Sequence, residues 1–359
     1  MAPVASELGS GRRACIVGLS GETLTGAEAA FLECWRPCGV ILFARNFSDN
    51  RQLSKLIVDA RAAAGGSELL VLVDQEGGRV QRLRGADWPD FPPAAAFGAL
   101  YRENPEEGLE VARLCSIGLS GLLRDVGINC NCAPCLDVPV AGADGVIGDR
   151  AYALEASAVA ALGGAVASGM MDGGVVPVIK HIPGHGRAKV DSHKALPVVD
   201  TAVAALAEQD FRPFAAHNEL PAAMTAHVTF TAADDKHPAS VSKRVTHEII
   251  RGKIGYSGLL MSDDISMQAL TGSIAERARM VLDAGSDVIL HCNGELREME
   301  MVGTVAPALS DEAAGRYRRC LEIAAKVPRA VDADMFRAGI ERVRQAYAAS
   351  HQTSEARLG

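Results

Sequence analysis

Eight short apolar runs, rich in β-branched residues, punctuate this chain, and none of them alternates cleanly with polar residues. They are ACIVGL (14–19), GVILF (39–43), LLVLVD (69–74), INCNCAPCLDV (128–138), VVPVIKH (175–181), AAMTAHV (222–228), GLLMSDD (258–264) and DVILHC (287–292). A half-solvated strand alternates, whereas a parallel strand covered on both faces does not. Between the runs lie stretches such as NRQLSKLIVDARAAAG and SIAERARMVLDAG, with apolar spacings of three and four and glycine at their ends, the pattern of amphipathic helices. Eight β units alternating with helices predict an α/β fold, a (β/α)8 barrel forming a single domain. The rival, a doubly wound open sheet, wants a G-x-G-x-x-G after its first strand, and none stands there. The charged helical segments after residue 295 are expected to pack against the barrel, giving one domain over 1–350 and a flexible polar tail over 351–359.

Charge and cysteine content narrow the function classes. The net charge is −8 and the basic residues are scattered, so no electrostatic footprint for nucleic acid or an anionic membrane is present. No apolar run approaches the ~18 residues of a membrane span, and the N-terminus lacks a secretory pattern, which predicts a cytoplasmic protein. Nine cysteines, most of them inside apolar segments, fit reduced thiols. Cys130, Cys132 and Cys135 in NCNCAPC read as buried core thiols first and as metal ligands second, because no second pair follows at zinc-finger spacing. Nothing marks an oligomerisation surface, so a monomer is the default expectation.

Barrels of this kind build their active sites at the carboxyl ends of the strands, and those ends carry a heavy polar load: Asp74, Asp137, Lys180 and His181, His227, and Asp263 with Asp264. In GLLMSDDISM a carboxylate after three apolar residues suits a nucleophile held in the barrel mouth; equally, Ser262, Asp263 and Asp264 could cap the next helix. In KHIPGHGRAKVDSH, Asp191 and His193 stand two apart, so in an extended segment they share a side, and a carboxylate beside an imidazole makes a proton donor and acceptor near neutral pH. The alternative is a solvated loop satisfying its own backbone. Gly184 and Gly186 suggest a sharp turn with freedom to move. In VDQEGGRVQRLR, the Gly77-Gly78 pair can turn tightly and leave Asp74 and Arg82 facing the mouth; Arg150 in GDRAY is a substrate cation or a surface ion-pair partner.

Taken together, VDQEGGRVQR, APCLDV, IGDRAY, KHIPGHGRAKVDSH, AAMTAHVTF and GLLMSDDISM occur in the order and approximate spacing of the bacterial β-N-acetylhexosaminidases of glycoside hydrolase family 3, which the chain resembles from about residue 15 to 295, GVILFARNF included. The resemblance implies a single-barrel enzyme that removes terminal N-acetylglucosamine from peptidoglycan fragments during cell-wall recycling. The substrates it implies are GlcNAc-anhydroMurNAc-peptides or GlcNAc-MurNAc fragments, with no cofactor or metal. It further implies Asp263 as nucleophile, His193 as general acid/base in a dyad with Asp191, and sugar binding by Asp74, Arg82, Arg150, Lys180 and His181, with His227 and Asp264 in matching motifs. Ile182 stands where the family usually has Phe, Arg187-Ala188-Lys189 replaces a more usual Asp-Thr pair, and Thr225 replaces a common Pro; none of these removes a catalytic group.

The chemistry so implied is a retaining double displacement through a glycosyl-aspartate. Histidine in place of the usual acid carboxyl has a rationale, since its ordinary pKa of ~6.5 already lies near neutral pH. Three rivals remain: a phosphorylase on the same fold, because a neutral histidine repels incoming phosphate less than a carboxylate does; a metal-dependent barrel hydrolase using His181, His185, His193 and Asp263; and a sugar-binding module without activity, which would need a missing nucleophile or acid.

Overall fold

The computed structural model describes residues 11–190, 192 and 195–356. Each apolar run contributes one strand: β1 (Arg13–Gly18), β2 (Pro37–Leu42), β3 (Leu70–Val73), β4 (Cys130–Asn131), β5 (Val176–Ile182), β6 (Ala222–Thr225), β7 (Leu259–Asp264) and β8 (Val288–His291). They pair in parallel in chain order, and β1 meets β8 with Cys15 beside Ile289, which closes the barrel. The (β/α)8 barrel expected from the pattern is the fold observed. Every residue of β2, β3, β5 and β6 is buried. Side chains such as Ile16, Ile41, Leu72, Val178 and Met261 fill the barrel. Their neighbours Val17, Val40, Val71, Ile179 and Leu260 pack in the separate cluster under the helices. Both parities are apolar because both face protein.

The surrounding helices are α1 (Gly26–Trp35), α2 (Asn50–Ala63), α3 (Ala94–Glu103), α4 (Pro105–Asp125), α5 (Ala156–Asp172), α6 (Val203–Glu208), α7 (Arg212–Ala216), α8 (Ile274–Asp283), α9 (Leu296–Val305), α10 (Asp311–Ala324) and α11 (Ala333–Ala356). Several starts are written into the sequence. Thr25, Asp49, Asn104, Ser273 and Ser310 each accept a first-turn backbone N–H, and Glu28 and Glu276 reciprocate for Thr25 and Ser273. None of the described helices is long and apolar enough to cross a membrane.

The structure departs from the sequence pattern in places that matter later. Regular pairing in the run 128–138 is confined to Cys130–Asn131, because Pro134 has no N–H to offer a ladder. Beyond it the chain still tracks β5, with Val178 N donating to Ala133 O at 3.0 Å and Leu136 N to Lys180 O at 2.7 Å. The β6–β7 connection winds as a π-helix over Val245–Lys253. Helix α11 continues to Ala356, into the stretch 351–359 for which a flexible tail is expected. At the amino ends of the strands α10 lies across the barrel base: Tyr317, Cys320 and Leu321 join the interior cluster, and Tyr317 Oη donates to Cys38 O at 2.6 Å. Helix α11 packs on α3 and α4, with Phe336 6.4 Å from Phe91.

Candidate active site

At the carboxyl ends of the strands a cavity of about 350 Å³ opens, walled by residues from most of the βα loops, among them Phe43, Asp74, Arg82, Arg150, Lys180, His181, Asp263 and Met267. Asp74 follows β3 directly, and the chain then folds into a small hairpin, Gln75–Gly77 against Val80–Gln81. Gly77 (φ +105) and Gly78 (φ +55) make its turn, and a Cβ on Gly77 would lie 2.2 Å from Pro92 O. The tight glycine turn anticipated here is present, and it returns Arg82 to Asp74, Nη2 to Oδ2 at 3.1 Å. Lys180, at the end of β5, reaches across the short β4 with Nζ 2.9 Å from Asp74 Oδ1 and 2.6 Å from Glu76 Oε1. Arg150 grips Glu76 through two parallel bonds of 2.9 and 2.8 Å. Arg79 binds Asp149 and the carbonyls of Val146 and Ile147, tying the hairpin to the segment that carries Arg150. The result is a chain of charges, Arg82–Asp74–Lys180–Glu76–Arg150, with three cations and two carboxylates.

Burial alone would push both carboxyls up, but Lys180 and Arg82 outweigh it at Asp74, which is held well below the ordinary carboxylate range. Arg150 and Lys180 do the same for Glu76, lowered to about 2. Burial likewise opposes the charge on Lys180, and Asp74 with Glu76 reverses it, raising the ammonium above its usual value. Asp74, Glu76 and Lys180 are therefore charged at neutral pH. Phe43 at the end of β2 flanks the network, with the guanidinium carbons of Arg45 and Arg82 4.7 and 5.4 Å from its ring centre.

A second arrangement backs the cavity. Asp137 accepts the backbone N–H of His181 (3.3 Å) and His185 (2.6 Å) on Oδ1 and the ring of His181, Nδ1 to Oδ2, at 2.6 Å. A carboxylate at Nδ1 fixes that nitrogen as the donor, which leaves Nε2 of His181 for the cavity. Burial opposes ionisation of Asp137, and His181 beside it overcomes that, so its carboxyl lies far below the ordinary range. The Pro-Gly-His-Gly turn is buried rather than loose. Gly186 is there for close approach, since a Cβ on it would sit 2.0 Å from Val138 O, and Arg187 anchors the turn to Asp210 at 2.8 Å. His185 Nε2 lies 3.2 Å from Ser192 Oγ.

The two carboxylates of the SDD motif divide the roles left open by the sequence. Asp264 accepts Ser266 N (3.0 Å), Ser266 Oγ (2.5 Å) and Cys292 N (3.1 Å), the work of a turn residue. Both carboxylates border the cavity, and Asp263 Oδ1 accepts the N–H of Asp264 at 2.8 Å. His227 is fully buried and outside the cavity lining: Nε2 donates to Asp264 O at 2.9 Å, so Nδ1 accepts from Ser240 Oγ at 2.6 Å. Both its nitrogens are used by protein atoms, which makes it a support for the β7 end rather than a sugar contact. Asp191 and His193 lie outside the described residues. Of the sequence-derived site residues, then, Asp74, Arg82, Arg150, Lys180, His181 and Asp263 come together in one cavity. Glu76 and Asp137, whose signal was only a polar residue at or just after a strand end, supply their partners.

Cys130 and Cys132 are core thiols of the barrel interior, pushed upward by burial. Cys135 differs, standing beside Asp137. Cys135, Asp137 and His181 are the grouping among the described residues that could hold a metal ion.

Residues 25–317 match the family described as "Glycosyl hydrolase family 3 N terminal domain". The chain is 37% identical over 312 residues to a beta-hexosaminidase of Bordetella pertussis, covering 85% of this chain and 87% of that protein. It is 40% identical over 301 residues to one of Thioalkalivibrio sulfidiphilus, covering 83% and 84%. Among solved structures, NagZ from Neisseria gonorrhoeae in complex with N-trifluoroacetyl-D-glucosamine superposes with TM-score 0.81 at 28% identity, over 94% of this chain and 98% of that one. A family 3 β-N-acetylglucosaminidase from Paenibacillus sp. str. FPU-7 superposes with TM-score 0.82 at 27% identity, over 96% and 69%. The chain belongs to glycosyl hydrolase family 3, grouping with its β-hexosaminidases, and is a glycoside hydrolase.

Proposed function

We propose that the protein is a cytoplasmic, retaining exo-β-N-acetylglucosaminidase that removes the terminal non-reducing N-acetylglucosamine from peptidoglycan fragments in cell-wall recycling. The observation that carries the reading is the placement of Asp263, at the carboxyl end of β7, in the same small cavity as the charged wall of Asp74, Arg82, Arg150 and Lys180. Sugar hydroxyls both donate and accept, and this wall offers both: Asp74 accepts while Lys180 and the arginines donate. A cavity of about 350 Å³ suits one sugar ring with its acetamido group, which favours a terminal residue over the interior of a chain. The neighbouring Neisseria structure holds an N-acylated glucosamine derivative, which fits that size and chemistry.

In this mechanism Asp263 attacks the anomeric carbon while His193, as an imidazolium paired with Asp191, protonates the leaving oxygen. Neutral His193 then takes a proton from the water that releases the sugar. Hydrolysis of an aryl N-acetyl-β-glucosaminide tests it. Asp263→Ala should lose on the order of 10⁴-fold or more in kcat, and wild type should yield free N-acetylglucosamine in phosphate buffer. His193→Ala should hurt unactivated muropeptides far more than aryl glycosides. A sugar phosphate as product, or equal loss on both substrate types, would sink the hydrolytic mechanism or the role of His193 respectively.

A further inference from the structure

Behind the cavity wall three different donor groups meet. Cys135 and Asp137 stand two apart in the extended segment after Pro134, so their side chains share a side, and β5 brings His181 against them. Cys135 Sγ lies 3.2 Å from Asp137 Oδ2, the oxygen that also holds His181 Nδ1 at 2.6 Å. One donor atom from each lies within 4.8 Å of the others, and all three residues are buried. The two N–H bonds from His181 and His185 to Oδ1 keep this carboxylate from rotating. His185 adds a fourth nitrogen: its ring centre is 5.5 Å from that of His181, and its Nδ1 is buried without a partner among the described residues. Thiolate, imidazole and carboxylate on a rigid frame are a zinc-type donor set.

The geometry points to a binding site for a thiophilic divalent cation such as zinc on Cys135, Asp137 and His181, whose occupation shuts down the sugar cavity from behind. Zinc bonds of ~2.0–2.1 Å to nitrogen and oxygen and ~2.3 Å to sulfur require the ion to enter between Nδ1 and Oδ2. That contact of 2.6 Å must open, and the His181 ring moves from the position in which it lines the cavity. The protons balance: the Cys135 thiol releases one to water, the His181 proton passes from Nδ1 to Nε2 so that Nδ1 can bind the metal, and Asp137 enters already ionised. Because the metal binds the thiolate and expels the Cys135 proton, binding strengthens as pH rises. Metal binding does not depend on which glycoside is cleaved; only its inhibitory effect rests on the proposed function.

The full chain carrying Cys34→Ser, which removes the exposed thiol, provides the test. Titration with Co²⁺ should show one ion per chain, a thiolate-to-cobalt charge-transfer band, a rise in Tm, and loss of aryl-glycosidase activity reversed by EDTA. Adding Cys135→Val should abolish the band and the Tm shift and raise the cobalt concentration that halves the variant's own activity by at least about tenfold. Cys135→Ser serves if the valine variant fails to fold, and it should bind more weakly and without the band. No thiolate band in the parent, or equally tight binding by the Cys135 variants, overturns the metal site and leaves the glycosidase reading intact. A band without loss of activity overturns the inhibitory effect and removes His181 from the working cavity.

Discussion

The ammonium of Lys180 holds two carboxylates that would otherwise repel each other in a buried space, and it does so from inside the substrate cavity. Lys180→Met should therefore act twice. It should lower kcat/KM about 10–100-fold, the worth of a charged hydrogen bond to a sugar hydroxyl. It should also cost about 3–5 kcal/mol in denaturant unfolding, because Asp74 and Glu76 lose the charge between them. Normal kinetics in that variant would show that no hydroxyl rests there. His185 gives a pH prediction of known sign. Burial first, and the neighbouring His181 second, lower it to about 4. A histidine kept neutral in the native state stabilises fully above its unfolded pKa of ~6.5, and that stability drains away as pH falls from there through about 4. The depressed carboxyl of Glu76 adds a second, lower stage, lost as pH falls from about 4 to about 2. Tm measured against pH should thus decline in two steps, and His185→Gln should flatten the upper one alone. These residues differ in how far they could be read ahead. Lys180, His181 and Asp263 stood out because an apolar strand ends on a charge. Asp137 carried the same strand-end signal without a role, and Glu76 carried none, because what defines each is a partner more than forty residues away in the sequence. His227 shares the strand-end signal, yet Ser240 and the Asp264 carbonyl consume both its nitrogens.

At the level of elements, the turn after β5 shows how a glycine-rich motif can mean confinement instead of freedom. Gly186 has Val138 O where its Cβ would be, 2.0 Å away, and the turn is locked by Asp137 and Asp210. Gly186→Ala should push the turn off the Asp137 segment, destabilise the protein by about 1–3 kcal/mol and disorder His181. Chemical denaturation and kcat/KM should fall together, and an unchanged KM with full stability would mean that the turn can shift freely. A glycine needed for a close approach and one needed for a hinge look alike in a sequence; only the backbone opposite distinguishes them. The same limit explains the run 128–138. Its composition is that of a strand, but Pro134 ends the ladder early and turns the remainder into the irregular segment that delivers Cys135 and Asp137.

For the molecule as a whole, periodicity was enough to count eight strands and infer closure, because a closed parallel barrel is what buries both faces of every strand. The base of that barrel was not legible, since α10 looks like any other amphipathic helix until the open end beneath β1–β8 is known. Tyr317 fills it and bonds Cys38 O. Tyr317→Ala should cost about 3–5 kcal/mol, Tyr317→Phe about 1 kcal/mol, with urea midpoints as the measure and activity at permissive temperature largely spared, since the site is at the other end.

That floor also sets an order of events. All eight strands have left the ribosome by His291, but the helix that seals their interior spans Asp311–Ala324. A nascent chain halted between those points holds a complete wall around an interior still open to water from below. Protease resistance in chains arrested at successive lengths should therefore arrive with Ala324 and its exit from the tunnel rather than with the last strand.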